Sequence, residues 1–211
     1  MIELSEIIEA CRRGERLAQK MLYQEFSMKM RAVCYRYLGK NADAEDILQE
    51  GFITVFTKIS QYSGKGSFEG WMKRIFINSS LRLLKNKQNS ILSHGEEKIV
   101  QWEQKNVENP LSAGGTEKQQ DLIRRMNFSK EELMELLQKL PEGYRVVFNL
   151  FAIEKHNHKE IAKILSISEN TSRSQLNRAR KHVQQKLYEI SLKRALKEDN
   201  EQYKNLLRVV S

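Results

Sequence analysis

The chain has 211 residues and a formal net charge of +9, with only two prolines and ten glycines. So few turn-forming residues among many Leu, Ile, Glu, Lys and Gln favour helices over a sheet. The positive charge favours a polyanionic partner. No stretch approaches the roughly 20 apolar residues of a membrane span, and the acidic N-terminus lacks the basic segment of a signal peptide. We therefore expect an all-α protein without membrane insertion.

Two cysteines, Cys11 and Cys34, stand within apolar helical patterns. We expect them to be buried, reduced side chains and not a disulfide, which predicts a cytoplasmic location.

Helical periodicity runs through the first part of the chain, from Glu3 to about Leu38. A further helix should begin near Asn41 or Asp43 and end near Ile59 or Ser60. The segment 61–67 contains two glycines and two serines, which predicts a loop. Ser67 is well placed to cap the next helix, 68–86, whose solvent face is basic.

Periodicity fades between about Gln88 and Asn127, where Gly, Pro and many acidic residues occur. This composition predicts a flexible acidic linker. Ser129 can cap a following helix, and Pro141 can start another. The chain then has two small helical domains on either side of a linker, with boundaries predicted at 1–88, 89–128 and 129–190 and a basic tail at 191–211.

The second domain contains a short helix at 158–165, a turn at Ser166-Ile167-Ser168 and a longer helix from Glu169 to about Tyr188, which is the pattern of a helix-turn-helix. The longer helix has one apolar stripe. Its stripe consists of Leu176, Ala179, Val183 and Leu187. The opposite face carries side chains suited to reading base edges in a major groove. They are Asn170, Thr171, Ser174, Asn177, Arg178 and Lys181, with Arg173 and Arg180 flanking the stripe.

Residues 140–145 (LPEGYR), 158–162 (HKEIA) and 167–180 (ISENTSRSQLNRAR) resemble the C-terminal domain of the extracytoplasmic-function group of bacterial sigma factors. That resemblance implies recognition of the upstream (−35) promoter element. It assigns four side chains to the bases, Arg173, Ser174, Asn177 and Arg178. It places Thr171 and Arg180 nearer the DNA backbone.

Residues 43–52 (DAEDILQEGF), 68–75 (FEGWMKRI) and Asn78 resemble the polymerase-binding and promoter-melting domain of the same group. The resemblance implies that one helix docks on the clamp helices of the largest subunit of core RNA polymerase. The contacts there would be Asp46, Gln49, Glu50 and Phe56. A loop would hold a base flipped from the −10 element, and a helix would grip the opened strand. The loop residues are Ser63, Gly64, Lys65, Gly66 and Ser67, and the helix residues are Lys73, Arg74, Asn78 and Arg82.

The resemblance thus implies a sigma factor whose partners are core RNA polymerase and promoter DNA, with an anti-sigma factor as a further candidate partner. It implies no enzymatic activity, cofactor or metal. Three positions depart from the usual pattern of the group. Arg82 stands where Asp is frequent, Ser166 where Gly is frequent, and Gln175 where a basic residue is frequent.

Two other classes of function are compatible with parts of the sequence. An autonomous helix-turn-helix regulator would explain the C-terminal half, but it needs no second basic helix in the N-terminal half. An enzyme could hold Mg²⁺ between Asp43, Asp46 and Glu50 on one helix face, although carboxylates near a helix start also suit the macrodipole. His156 and His158 suggest a metal pair but lie at a turn without a third ligand, so we expect surface histidines.

Overall fold

The computed structural model describes residues 3–39, 41–91 and 117–210, with the side chains of 88–91, 118 and 198–210 left out of the description. Within these ranges the chain forms helices and turns and no strand, which confirms the predicted all-α class. It forms two compact units, Met1–Glu96 and Glu97–Ser211. No helix in the described ranges is both long enough and apolar enough to cross a membrane.

In the described residues, the first unit consists of four α-helices and a short 3-10 turn. These are α1 (Leu4–Arg12), α2 (Arg16–Leu38), α3 (Ala42–Lys58), the turn Ile59–Gln61 and α4 (Phe68–Ile91). As predicted, Asn41 caps α3: its side-chain oxygen accepts a hydrogen bond from the Ala44 amide at 3.1 Å. The capping role predicted for Ser67 is also confirmed, since its hydroxyl accepts from the Gly70 amide at 3.1 Å.

Helices α2, α3 and α4 pack against one another around a core of large apolar side chains. The fully or nearly fully buried members include Leu22, Phe26, Met30, Tyr37, Leu48, Phe52, Met72 and Phe76. Cys11 and Cys34 are buried and free, as the sequence predicted. Burial raises the pKa of the Cys34 thiol to about 12, so this thiol stays protonated at neutral pH.

The close approach of α3 to α4 depends on Gly51. A Cβ added there would lie 2.2–2.8 Å from ring carbons of Phe76, which is itself fully buried. We expect Gly51→Ala to lower the free energy of unfolding of the first unit by about 1–3 kcal/mol, because the ring has no space to move into.

Thermal or urea unfolding followed by circular dichroism measures this loss. Gly143→Ala, in the other unit, is a matched control, since its Cβ would meet only the flexible Gln175 side chain at 3.3–3.6 Å. A Gly51→Ala protein as stable as the unmodified chain would contradict the packing argument.

The second unit contains five α-helices in the described residues. These are α5 (Glu117–Arg125), α6 (Lys130–Gln138), α7 (Glu142–Phe148, continued by a π-helical turn at Asn149–Ile153), α8 (His158–Leu165) and α9 (Glu169–Val210). Ser129 and Glu132 form a capping box at the start of α6, which agrees with the cap predicted there. The core joins Leu140, Tyr144 and Ala179, with Leu137, Phe148 and Val183 packed against them.

Two segments differ from the sequence expectations. Residues 92–116 of the predicted linker lie outside the described residues, but its end forms α5, which packs against α9. Leu122 and Ile123 of α5 are half-buried, so this short segment gains the apolar contacts that its sequence did not reveal. The last helix also does not end near Tyr188. It continues through the predicted tail, because no glycine or proline interrupts it after Glu169.

Candidate nucleic-acid interface

The helix-turn-helix consists of α8, a turn at 166–168 and the first part of α9. Asn157 and Glu160 form a capping box that starts α8, and the Ser168 hydroxyl accepts a hydrogen bond from the Thr171 amide at 2.9 Å to start α9. Ile161 is fully buried on the inner side of α8. Ile164, although apolar, is 36% exposed, because the short helix turns only one side to the core.

Ser166 ends α8 in the left-handed conformation, with φ 57° and ψ 42°. This geometry explains why glycine suits the position, since a side chain in that region costs roughly 1–2 kcal/mol. The departure noted at Ser166 therefore changes the local strain of the turn and not its path.

The exposed face of α9 carries the four side chains predicted to contact bases. Leu176 and Ala179 are buried beneath it, whereas Arg173, Ser174, Asn177 and Arg178 are all exposed. Arg173 lies 3.5 Å from Glu169 in a surface ion pair. Because exposed pairs of this kind are weak, Arg173 can exchange that partner for DNA at little cost.

Arg178 has a partner that the sequence did not indicate. Its Nη1 donates to the hydroxyl of Tyr144, on α7, at 3.4 Å. Tyr144 is almost fully buried, so the hydroxyl is held by the core and restricts where the guanidinium points. The two residues are far apart in the sequence, and no spacing rule links them.

Thr171 and Arg180, assigned to the DNA backbone, lie beside this face. Thr171 is half-buried and Arg180 is exposed. The Arg180 guanidinium lies 5.3 Å from the ring centre of Phe151, which in turn stacks on the His158 ring at 4.8 Å. Phe151 therefore supports Arg180 at the edge of the exposed face of α9 by a cation–π contact.

The loop assigned to the flipped base is exposed along its whole length, from Ser63 to Ser67. Gly64 and Gly66 have φ values of +76° and +83°, which only glycine adopts readily. The Tyr62 hydroxyl donates to the Gly66 carbonyl at 2.7 Å and so braces the loop across its base. Lys65 lies at the exposed centre of the loop, where its charge is available to a phosphate.

An aromatic cluster lies beneath the loop. The rings of Trp71 and Phe68 stack with their centroids 5.5 Å apart, and the Tyr62 ring centroid is 5.1 Å from that of Phe68 and 5.7 Å from that of Trp71. Trp71 is half-buried, as expected for a residue that mainly packs. Ser63, Gly64 and Ser67 also line a groove on the same unit. Its other lining residues include Leu4, Ile8, Phe26, Tyr62 and Phe68.

The cationic stripe on α4 is formed by Arg74, Asn78 and Arg82, which follow at intervals of four and are all exposed. Lys73 lies elsewhere: its amine is 2.7 Å from Glu69, which also pairs with Lys29 at 3.5 Å. The hydrogen bond from Lys73 lowers the pKa of Glu69 below its ordinary value. Of the four residues predicted to contact the opened DNA strand, Lys73 is thus the one that forms an ion pair within α4 itself.

Helix α3 presents an acidic face beside that stripe. Asp46, Gln49 and Glu50 are exposed and Phe56 is half-buried. Ile53, one turn beyond Gln49 and Glu50, is 66% exposed. The apolar periodicity of α3 predicts its core-facing residues and gives no signal for an exposed apolar residue such as Ile53. An apolar side chain at the centre of a polar face is typical of the core of a protein interface.

Two ion pairs join α3 to α4. Glu50 pairs with Arg82, and the carboxylate of Asp43 lies 2.6 Å from the amine of Lys87. Of the three carboxylates that could have formed a Mg²⁺ site, Glu50 and Asp43 are therefore paired with cations, and Asp46 is exposed to solvent. Within the described residues, no group of three or more His, Cys, Asp or Glu side chains is placed to hold a metal ion.

The two histidines near the turn contact different partners. His156 Nδ1 is 3.4 Å from Glu160, and His158 Nδ1 is 2.9 Å from the Ser172 hydroxyl. Both are half-buried, more enclosed than the surface positions expected. Burial, followed by the charges of Arg173 and Arg180, lowers the pKa of His158 below its ordinary value, so it is neutral at neutral pH.

The described residues combine a helix-turn-helix, an exposed cationic face on α9 and a second basic helix in a separate unit, which together are typical of a DNA-binding protein. Comparison with known families narrows the class. The sigma-70 region 2 model matches residues 22–90, and the sigma-70 region 4 model matches residues 130–183. The chain belongs to the sigma-70 family of bacterial transcription initiation factors, in its extracytoplasmic-function (ECF) group.

Known proteins similar in sequence to this chain match it over most of their own length. The ECF RNA polymerase sigma factor SigW of Bacillus subtilis is 27% identical over 187 residues, which is 87% of this chain and 96% of SigW. The ECF RNA polymerase sigma-E factor of Haemophilus influenzae is 25% identical and covers 86% of this chain and 93% of its own length. A solved complex of the Bartonella quintana sigma factor RpoE with the anti-sigma factor NepR has 16% identity and a TM-score of 0.43, covering 81% of this chain and 96% of that chain.

Proposed function

We propose that this sigma factor binds core RNA polymerase through α3, reads the −35 element with α9 and opens the −10 element with the loop 63–67 and α4. Polymerase binding and −10 opening are assigned to the first unit, and −35 reading is assigned to the second. In the first, an acidic face and a cationic stripe lie on adjacent helices. In the second, the recognition face of α9 is continuous and contains no acidic residue from Thr171 to Gln185.

One observation carries the −35 assignment: Arg173, Ser174, Asn177 and Arg178 are exposed on one side of α9 while Leu176 and Ala179 are buried on the other. Arginine and asparagine can make paired hydrogen bonds to base edges in the major groove. The Tyr144 contact holds Arg178 within the recognition face and reduces the entropy lost when it binds a base.

The −10 assignment is supported by the loop and its surroundings. Exposed Ser63, Lys65 and Ser67 provide polar groups, and the aromatic cluster of Tyr62, Phe68 and Trp71 supports them from below. Single-stranded DNA is held by backbone charge and by contacts with aromatic side chains. Arg74, Asn78 and Arg82 follow the loop in a line along α4 that suits the backbone of one separated strand.

The polymerase assignment is supported by α3, whose exposed Asp46, Gln49 and Glu50 lie on the same face as the exposed Ile53. The same surface would be the simplest target for an anti-sigma factor, because occupying it would prevent assembly with polymerase. Assembly with polymerase in turn supports the cytoplasmic location expected from the sequence.

Arg178→Ala tests the base-reading assignment. We expect it to reduce promoter affinity of the holoenzyme by about 1–3 kcal/mol and to relax the preference at one or two −35 positions, because a base-specific hydrogen bond is lost. The measurement is binding to a set of promoters, first selected from genomic DNA with the unmodified holoenzyme, in which each −35 base pair is replaced in turn.

Arg180→Ala is the matched control, since it removes the same charge from the edge of the surface. It should weaken all sequences about equally and reduce the salt dependence of binding, as expected for a phosphate contact. Equal weakening of every sequence by Arg178→Ala would identify Arg178 as a phosphate contact and refute its assignment to a base.

A further inference from the structure

Two segments of the second unit lie outside the family matches and pack together. The region 4 match ends at residue 183, but α9 continues without a break, and α5 precedes the start of the match at residue 130. Helix α5 packs against α9. Ser191, where the tail was predicted to begin, is fully buried within this part of α9. The extension of the recognition helix therefore forms a support for the chain that enters the domain.

Arg194, on the extension, contacts the end of that entering chain and the start of α6 by three contacts of different kinds. Its Nη1 donates to the backbone carbonyl of Asn127 at 2.9 Å. Its other terminal nitrogen forms an ion pair with Glu132, at the start of α6. Its guanidinium also lies 5.1 Å from the ring centre of Phe128. A planar guanidinium can satisfy all three contacts at once, whereas the single amine of a lysine cannot.

The stability of α5 depends on its packing against α9, and Arg194 fixes the chain to α9 two residues beyond the end of α5. A helix of nine residues is marginal in water by itself, because nucleation costs more than so few hydrogen bonds return. Detached from α9, α5 would lose the cover over its half-buried Leu122 and Ile123 and would unfold. A nine-residue helix is about 14 Å long, whereas the same residues extended span about 30 Å.

We propose that Arg194 is a positioning residue that fastens the end of the linker to the recognition helix and thereby limits the spacing between −35 and −10 elements that the holoenzyme accepts. The proposal rests on the function proposed above. Each added base pair moves one element by about 3.4 Å and rotates it by roughly a tenth of a turn. A linker end that is fixed to α9 restricts such a displacement between the two promoter-binding units, whereas a released end has a longer reach and permits it.

The test uses the full-length chain with core polymerase. Transcription is measured from promoters with identical elements and spacers lengthened or shortened by one base pair at a time. With Arg194→Ala, we expect the ratio of transcription at the preferred spacer to that at its neighbours to fall about fivefold, as the ion pair and cation–π contact are lost. Glu132→Gln, which removes the same ion pair from the other side, should shift the ratio in the same direction.

Lys193→Ala removes one positive charge from the neighbouring exposed position and should keep the unmodified ratio. Amide hydrogen exchange in 117–125 should become at least about tenfold faster in Arg194→Ala, with helical content in 130–183 retained. Unchanged exchange in α5, or a spacer profile identical to that of the unmodified protein, would overturn the proposal. Unmodified holoenzyme that ignored both promoter elements would overturn the proposed function as well, so the two failures are distinct.

Discussion

Charge reversal at Asp46 and Glu50 should abolish co-purification with core RNA polymerase while leaving the helical content of the protein unchanged. Both carboxylates are exposed on the same face of α3 as Ile53, so lysines there would oppose the partner without entering the core. Like charges brought together at an interface cost several kcal/mol, which is enough to remove binding under ordinary assay conditions. The measurement is capture of core polymerase by the tagged sigma factor, with circular dichroism of the same preparation.

Two controls separate this effect from others. Glu15→Lys with Glu25→Lys makes an equal charge change at exposed carboxylates of the same unit and should leave polymerase binding intact. Arg82→Ala removes the ion-pair partner of Glu50 without altering the acidic face, so it should still bind polymerase. A folded Asp46→Lys, Glu50→Lys variant that binds core polymerase at full strength would exclude this face from the interface.

The second large effect concerns promoter opening. Holoenzyme with alanine at Gly64, Lys65 and Gly66, together with Arg74→Ala and Asn78→Ala, should occupy the promoter but fail to open it. The two glycines have positive φ values, so alanine would deform the loop, and the helix changes would remove strand contacts. Extruding a base costs a few kcal/mol, which the altered loop could no longer offset. Ser67 is retained because its hydroxyl caps α4.

Permanganate reactivity of thymines near the start site measures opening, and footprinting of the −35 element measures occupancy. A template already unpaired over the −10 element should restore much of the lost transcription, because the cost of unpairing is then removed beforehand. Lys20→Ala, an exposed cation on α2, should open the promoter normally. Normal opening by the multiple variant, or a loss of −35 occupancy as large as that of Arg178→Ala, would show that this region has another role.

Local patterns were sufficient to predict much of the molecule. The helical class, the caps at Asn41, Ser67 and Ser129, the burial of Cys34 and the helix-turn-helix all follow from spacing and side-chain type over a few residues. Membership of the sigma-70 family also followed from short motifs. These properties depend on neighbours three or four positions away, which the sequence displays directly.

Other features depend on residues that are distant in the chain. Tyr144 meets Arg178, Glu50 meets Arg82, and Arg194 reaches Asn127 and Glu132, and none of these pairs is indicated by periodicity. The same is true of α5, which its own sequence left as linker because its stability comes from α9.

The amino-acid sequence by itself determined the helical class, most of the helices with their apolar faces, and the family to which the protein belongs, because these depend on local spacing. Only the tertiary structure decided which exposed charges are already paired, which buried group directs Arg178 and how far the recognition helix continues as a support. The physical reason is that helix propensity and amphipathicity act within a few turns, whereas ion pairs, close contacts such as Gly51 with Phe76 and the cover over a short helix exist only after packing.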